Sequence, residues 1–313
     1  MKGYYFKTLF VLIGLSAMTL TSCKKASTAA DDSVSAQDAS NVTNAVNSTS
    51  DDAASAAGQV KSFSGKTEGM WWNAAVLCGT SSVDSGTTAN HTITITYDGT
   101  TSCNGMLRSG TVTIQNANNM TWQTMGAELT VNFNNLKVTD IATSNSYTLN
   151  GTHTILNETG GLAWQVIAGL STGPVSHRIT SSNMTVTYPN GSQRSWTVDR
   201  TRTWSASGNT ITVSVKSEAS GNVSETGTNR FGDAFTNTIL SPITANSNCA
   251  FRPYTGEFQH QISTRMATVL FGTNPGGVQQ NDPNYCGSYG TYGFYITYTN
   301  GTRTLNRFVS YWR

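Results

Sequence analysis

Period-two alternation of apolar and polar side chains is what most constrains the fold of this chain. In residues 91–97, Ile93, Ile95 and Tyr97 fall on one face and threonines on the other. Residues 209–215 repeat the scheme, as do Met184, Val186 and Tyr188, and later Tyr292, Phe294, Ile296 and Tyr298. Successive side chains of a strand point to opposite faces, so such runs predict strands with one face on a core and one in water. Asp98-Gly99, Asn190-Gly191 and Asn300-Gly301 each follow an alternating run and favour the positive φ of tight turns, and Asn150-Gly151 is expected to make a fourth. The apolar parity switches at Asn134-Asn135, which predicts a bulge or turn there. Residues 160–167 are the best helical candidate and still read as a strand. The expected fold class is all-β: an extended antiparallel meander or sandwich of many hairpins, with no significant helix in the mature domain. It spans residues 67–313, as one large domain or as two related β units around 67–160 and 240–313.

Residues 24–66 have a different texture. Ala, Ser, Asp and Asn dominate, and large apolar side chains are almost absent. Such a segment buries too little apolar surface to offset its ordering entropy, so residues 23–66 are expected to be a disordered tether. Ahead of it stand Lys2 and Lys7, an apolar run over residues 8–20, and then Leu20-Thr21-Ser22-Cys23. The run is shorter than the ~20 residues that a membrane span needs. The leader looks like a bacterial lipoprotein signal, with Ser22 a departure from the Gly or Ala more usual there. That resemblance implies removal of residues 1–22, acylation of Cys23 (palmitate among the chains), and anchoring in a membrane by several acyl chains. The implied location is the bacterial envelope, as an outer-membrane lipoprotein facing either the periplasm or the exterior. Asp32-Ser33-Val34 resembles the sites at which Bacteroidota O-glycosylate exported proteins, which implies a glycan on Ser33.

Export sets the redox context for the four remaining cysteines, Cys78, Cys103, Cys249 and Cys286. Sequence permits three pairings. Cys78–Cys103 with Cys249–Cys286 is favoured, because each pair closes a short loop within one β-rich segment; free buried thiols are the alternative. Neither the cysteines nor the scattered histidines have metal-ligand spacing, so no metal or cofactor is expected.

Ile93-Thr94-Ile95-Thr96-Tyr97-Asp98-Gly99, Cys103 and Arg108-Ser109-Gly110-Thr111-Val112-Thr113 resemble a segment of uncharacterised β-rich lipoproteins of Bacteroidota. Tyr188-Pro189-Asn190-Gly191 and Gly227-Thr228-Asn229-Arg230-Phe231-Gly232 extend the likeness over most of the β-rich part. Cys286-Gly287-Ser288 departs from the Cys-Asp-Asn frequent in that family. The resemblance implies an envelope lipoprotein and no known activity, so it assigns no functional residues.

Chemistry is sparse. No Gly-x-Ser-x-Gly elbow occurs, and spacing singles out no pair of carboxylates. His91, His153, His177 and His260 read as structural or surface residues. The net charge of +2 implies no nucleic-acid partner. Aromatic side chains are the better lead. Parity sends Tyr292 and Phe294 to the core and leaves Tyr289 and Tyr295 on the opposite face, where rings flanked by Thr and Gly would stack on sugars. Arg194, Arg200 and Arg202 share a face with Trp196 and Trp204. That face reads either as a site for an acidic polymer or, preferably, as a solvated surface whose arginine stems cover the indoles. The sequence favours a non-enzymatic binding or structural role in the envelope, its partners a membrane and either an envelope glycan or another surface protein. A surface glycan-binding lipoprotein is the first alternative, and a hydrolase acting on glycans the second.

Overall fold

A computed structural model of the chain describes residues 29–60, 63, 77–84, 92–103, 105–141, 144–249, 251–285 and 291–311. Among the described residues, fourteen antiparallel strands form one sheet. They are β1 (Thr80–Asp84), β2 (Thr92–Asp98), β3 (Met106–Asn116), β4 (Glu128–Asp140), β5 (Ser146–Asn157), β6 (Val175–Thr187) and β7 (Gln193–Ser207), then β8 (Thr210–Ser217), β9 (Val223–Thr228), β10 (Ala234–Asn246), β11 (Pro253–Ile262), β12 (Arg265–Thr273), β13 (Gly293–Thr299) and β14 (Thr304–Ser310). Neighbours in sequence are neighbours in the sheet, except that β7 pairs with both β8 and β9, and β10 closes on the same two strands. The antiparallel fold expected from the alternation is therefore present. Ile93, Ile95 and Tyr97 point inward, as do Met184, Val186 and Tyr188.

The helix α1 (Ala29–Gln59) corrects the expectation of a disordered tether and of a domain without significant helix. Its inward residues recur at helical spacing: Val42, Ala45, Val46, Thr49, Ala53, Ala56 and Ala57 are all buried. Alanine carries little apolar area, which is why the segment reads as too polar to fold. In contact it lets the helix lie close against the sheet. Among the described side chains from Ser35 to Val60, most are buried or half-buried, and that of Asp51 is 46% exposed. One helical turn is reached by Arg108 from β3 and by Arg202 from β7. Those strands lie four spacings apart, about 19 Å on a flat sheet, so the sheet curves around the helix. Ser33 falls within α1. Cys23 lies outside the described residues. Among the described residues no helix is long and apolar enough to cross a membrane.

Two further expectations need correcting. Residues 160–167 do not form a strand. Gly160 and Gly161 take φ of 78° and 81°, turning the chain into the short helix α2 (Ala163–Ile167), with Leu162 buried beneath it. Asn150-Gly151 is no hairpin either, since β5 runs through it. The expected bulge at Asn134-Asn135 is present, with Asn135 at φ 50° and a register shift between Phe133 and Leu136. Asn150 Oδ1 accepts from the Asn135 backbone N–H at 2.8 Å, and a Cβ on Gly151 would stand 2.7 Å from the Asn183 carbonyl oxygen. The Asn-Gly pair therefore serves two adjoining bulges, not a turn.

The main core lies between α1 and the inner face of β2–β7, and extends to Phe235 and Ile262. Val269, Phe271, Phe294 and Val309 make a smaller core under the last hairpins. The strands of both expected β units belong to the same sheet. Cys78 and Cys103 form a disulfide. Cys249 is also disulfide-bonded; Cys286 lies outside the described residues.

Candidate functional site

Arg194, Trp196, Arg200, Arg202 and Trp204 share one face of β7, as parity requires, but that face is the interior. Arg194, Trp196, Arg200 and Trp204 are buried, and Arg202 is nearly so. The surface reading of this cluster is thus corrected. The inward parity was visible in Val198, which lies between them on the same face.

Inside, the arginines grip α1. Arg200 donates to Glu225 Oε1 at 2.9 Å and to Asn47 Oδ1 at 2.7 Å. Arg194 reaches Glu225 Oε2 at 3.5 Å. Thr43 donates to Glu225 Oε1 at 3.1 Å, and Asn237 Nδ2 to Oε2 at 2.8 Å. His260 Nδ1 lies 2.6 Å from Asn237 Oδ1. Because Asn237 turns its amide N–H₂ to Glu225, its oxygen accepts and the imidazole donates from Nδ1. One carboxylate thus joins α1, β7, β9 and β10, and through Asn237 also β11. Arg202 pairs with Asp51 at 2.7 Å, Arg108 with Asp52 at 2.8 Å, and Arg230 with Asp38. Four of these five arginines also stack on rings: Arg108 on Tyr97, Arg194 on Phe235 and Trp196, Arg202 on Trp204, and Arg230 on Tyr188.

Burial governs the electrostatics. It lowers the pKa of the Arg194 and Arg200 guanidinium groups against the pull of Glu225. It raises the Asp52 carboxyl despite Arg108 beside it. Burial, reinforced by the charges of Arg200, Arg202 and Arg194 respectively, pushes His153 and His177 down to about 3 and His260 to about 4. All three are neutral near pH 7. Other carboxylates have structural partners: Asp199 takes a forked pair from Arg178, and Asp98 accepts from the Thr100 and Thr101 backbone N–H groups in its turn.

A recess into this interior opens between α1, α2, β6 and β7, among Asp51, Trp122, Trp164, Ile167, His177 and Trp204. It encloses about 30 Å³, and about 310 Å³ counting the mouth that opens to solvent. The His177 ring lies 5.0 Å from both the Trp122 and the Trp204 rings, sandwiched between them. His177 Nε2 and Trp164 Nε1 are buried and have no hydrogen-bond partner among the described residues. A shallower depression of about 240 Å³ lies on the outer face, over the β6 bulge, with Asn183, Thr185, Thr197 and Thr226 around it.

Of the expected sugar-stacking pair, Tyr295 is among the described residues. Tyr295 is only half-exposed, and its ring packs on Gly277, where a Cβ would lie 3.3 Å from it. Tyr289 lies outside the described residues. Sequence reading missed Asp38, Asp51 and Asp52, whose spacing places them on α1 only once the helix is known. It also missed Trp164, which was assigned to a strand. No protein-family model, curated protein or solved structure matches the chain.

Two outcomes follow for stability. Glu225→Gln removes the charge that two buried arginines share, and an uncompensated buried charge costs about 3 kcal/mol or more. Arg178→Met breaks a partly exposed pair on the outer face and is expected to cost less than about 1 kcal/mol. Urea unfolding of both variants reads the difference, and equal losses would contradict the buried hub. The histidines set a pH dependence. The unfolded chain takes up protons at their ordinary pKa of about 6.5, whereas the folded one does not until about 4 and below. Stability is therefore full above pH 6.5 and falls on acidification, by up to about 1.4 kcal/mol per pH unit for each histidine. Asp52, whose pKa burial raises, opposes the fall as it takes up its proton. A stability profile flat from pH 7 to 4.5 would contradict the buried neutral imidazoles.

Proposed function

We propose that this protein is an exported, acyl-anchored lipoprotein of the bacterial cell envelope with a non-enzymatic binding or structural role. The observation that carries the reading is the position of α1. Its first residue, Ala29, stands six positions beyond Cys23. A stretch of that length reaches at most about 20 Å. The helix is itself held by the sheet through Asp38, Asn47, Asp51 and Asp52. An acyl group on Cys23 would thus mount the folded domain close to the membrane surface instead of floating it on a long stalk. The Cys78–Cys103 disulfide fits an oxidising compartment outside the cytoplasm. The non-enzymatic part rests on where the reactive groups are. The buried imidazoles are held neutral among rings, and Glu225 is enclosed by four donors.

The test is expression in a bacterial host with an alkynyl palmitate analogue, followed by membrane fractionation. The wild-type chain is expected to carry the label and sediment with membranes. Cys23→Ser is expected to lose the label and appear in the soluble fraction, still oxidised at Cys78–Cys103. An unlabelled wild-type chain, or a Cys23→Ser variant that stays with the membrane, would sink the proposal.

A further inference from the structure

We infer that the indole-lined recess between α1, α2, β6 and β7 is a binding site for a neutral saccharide residue. The inference rests on the binding role proposed above and names its ligand class and its place.

Three features select the ligand. The first is shape: the recess encloses about 30 Å³ and opens to solvent, so it admits one small substituent of a ring that lies across its mouth. The second is the wall. Trp164 is half-exposed at the mouth beside the exposed Ile167, with Trp122 and Trp204 deeper. Indole faces and edges suit the C–H surface of a sugar ring. The third is the pair of orphaned polar atoms. Trp164 Nε1 carries a hydrogen and can only donate. A buried donor left unpaired costs about 1–3 kcal/mol, so the recess favours an acceptor oxygen. His177 Nε2 adds a second hydrogen-bonding atom at the same recess.

Charge excludes the competing classes. A cationic head group in an aromatic cage would leave the Trp164 N–H unsatisfied, and the Asp51 carboxylate at the rim is already neutralised by Arg202. For the same reason the Asp51–Arg202 pair offers an anion no net positive charge, and the negative faces of the indoles disfavour one. A neutral hydroxyl or acetamido group accepts from Trp164 and donates to Asp51 without moving a charge. Gly58 lets Leu162 and Trp164 pack closely against α1: a Cβ there would stand 3.0 Å from Leu162 Cδ2 and 3.1 Å from Trp164 Nε1. Asp51 lies 22 residues beyond Ala29 on α1, so the recess sits about 33 Å along the helix from its N-terminal end. The site would therefore face away from an anchor at Cys23.

The experiment is titration of the full mature chain in detergent with cellotetraose, maltotetraose and the tetramer of N-acetylglucosamine. Tryptophan fluorescence and calorimetry are the readouts. Saturable binding to at least one is expected. Trp164→Phe keeps the ring and loses the N–H, so it should weaken binding about three- to tenfold. Trp164→Ala should abolish it, while Tyr295→Ala leaves it unchanged. No saturable binding by a folded, oxidised chain would overturn the inference, as would binding that survives Trp164→Ala or a recess that proves to hold a bound water only. None of these results bears on the membrane anchor, which the Cys23→Ser fractionation reads separately.

Discussion

Glu225 is the interaction on which the rest of the structure depends. It is buried and accepts from Thr43, Arg194, Arg200 and Asn237, so a single carboxylate fixes the helix, the branch of the sheet at β7–β9–β10, and the packing of β11 through His260. Around it the other arginine–acid pairs repeat the arrangement along α1. A helix rich in alanine and asparagine has too little apolar area to hold itself in place. Here the sheet supplies the grip, with guanidinium groups that stack on its own aromatic rings and pair with helix carboxylates. Such buried pairs add little net stability over an apolar interior, but losing one partner is costly. The consequence is one register of helix in sheet, with misaligned alternatives left holding unpaired charges.

Much of the fold was legible because strand geometry is local. The inward positions of Ile93, Ile95, Tyr97, Met184, Val186 and Tyr188 follow from period two alone. So does the bulge at Asn134-Asn135, where the parity breaks. The helix was hidden because its signal lies in small residues. Val42, Ala45, Val46, Thr49, Ala53, Ala56 and Ala57 have helical spacing, yet composition alone assigns their segment to disorder. The sheet is what makes the segment fold, through contacts more than 50 residues away in sequence, such as Arg108–Thr49 at a separation of 59. Local turn chemistry misled at Asn150-Gly151, where unbroken alternation from Tyr147 to Ile155 outweighed it.

The candidate site was half legible. Parity placed Arg194, Arg200, Arg202, Trp196 and Trp204 together, but parity says which residues share a face and not which face is inside. Val198 carried that information. Trp204 does border the recess, though only its placement beside Trp122, Trp164 and His177 shows this, and those residues come from three separate parts of the chain. The two glycines before α2 turn Trp164 toward the helix, and no periodicity in residues 160–167 announces that turn.

These features describe a domain whose helix α1 is a structural member of the fold, running from Ala29 to the recess near its other end. Native-state hydrogen exchange of the full chain tests this most directly, read over residues 35–59. If the sheet holds α1 as described, these amides exchange as slowly as those of β4 and β5, opening only with the whole domain. If they exchange within seconds while the strands stay protected, the segment is a loose tether after all and the helix is not what the sheet is built around.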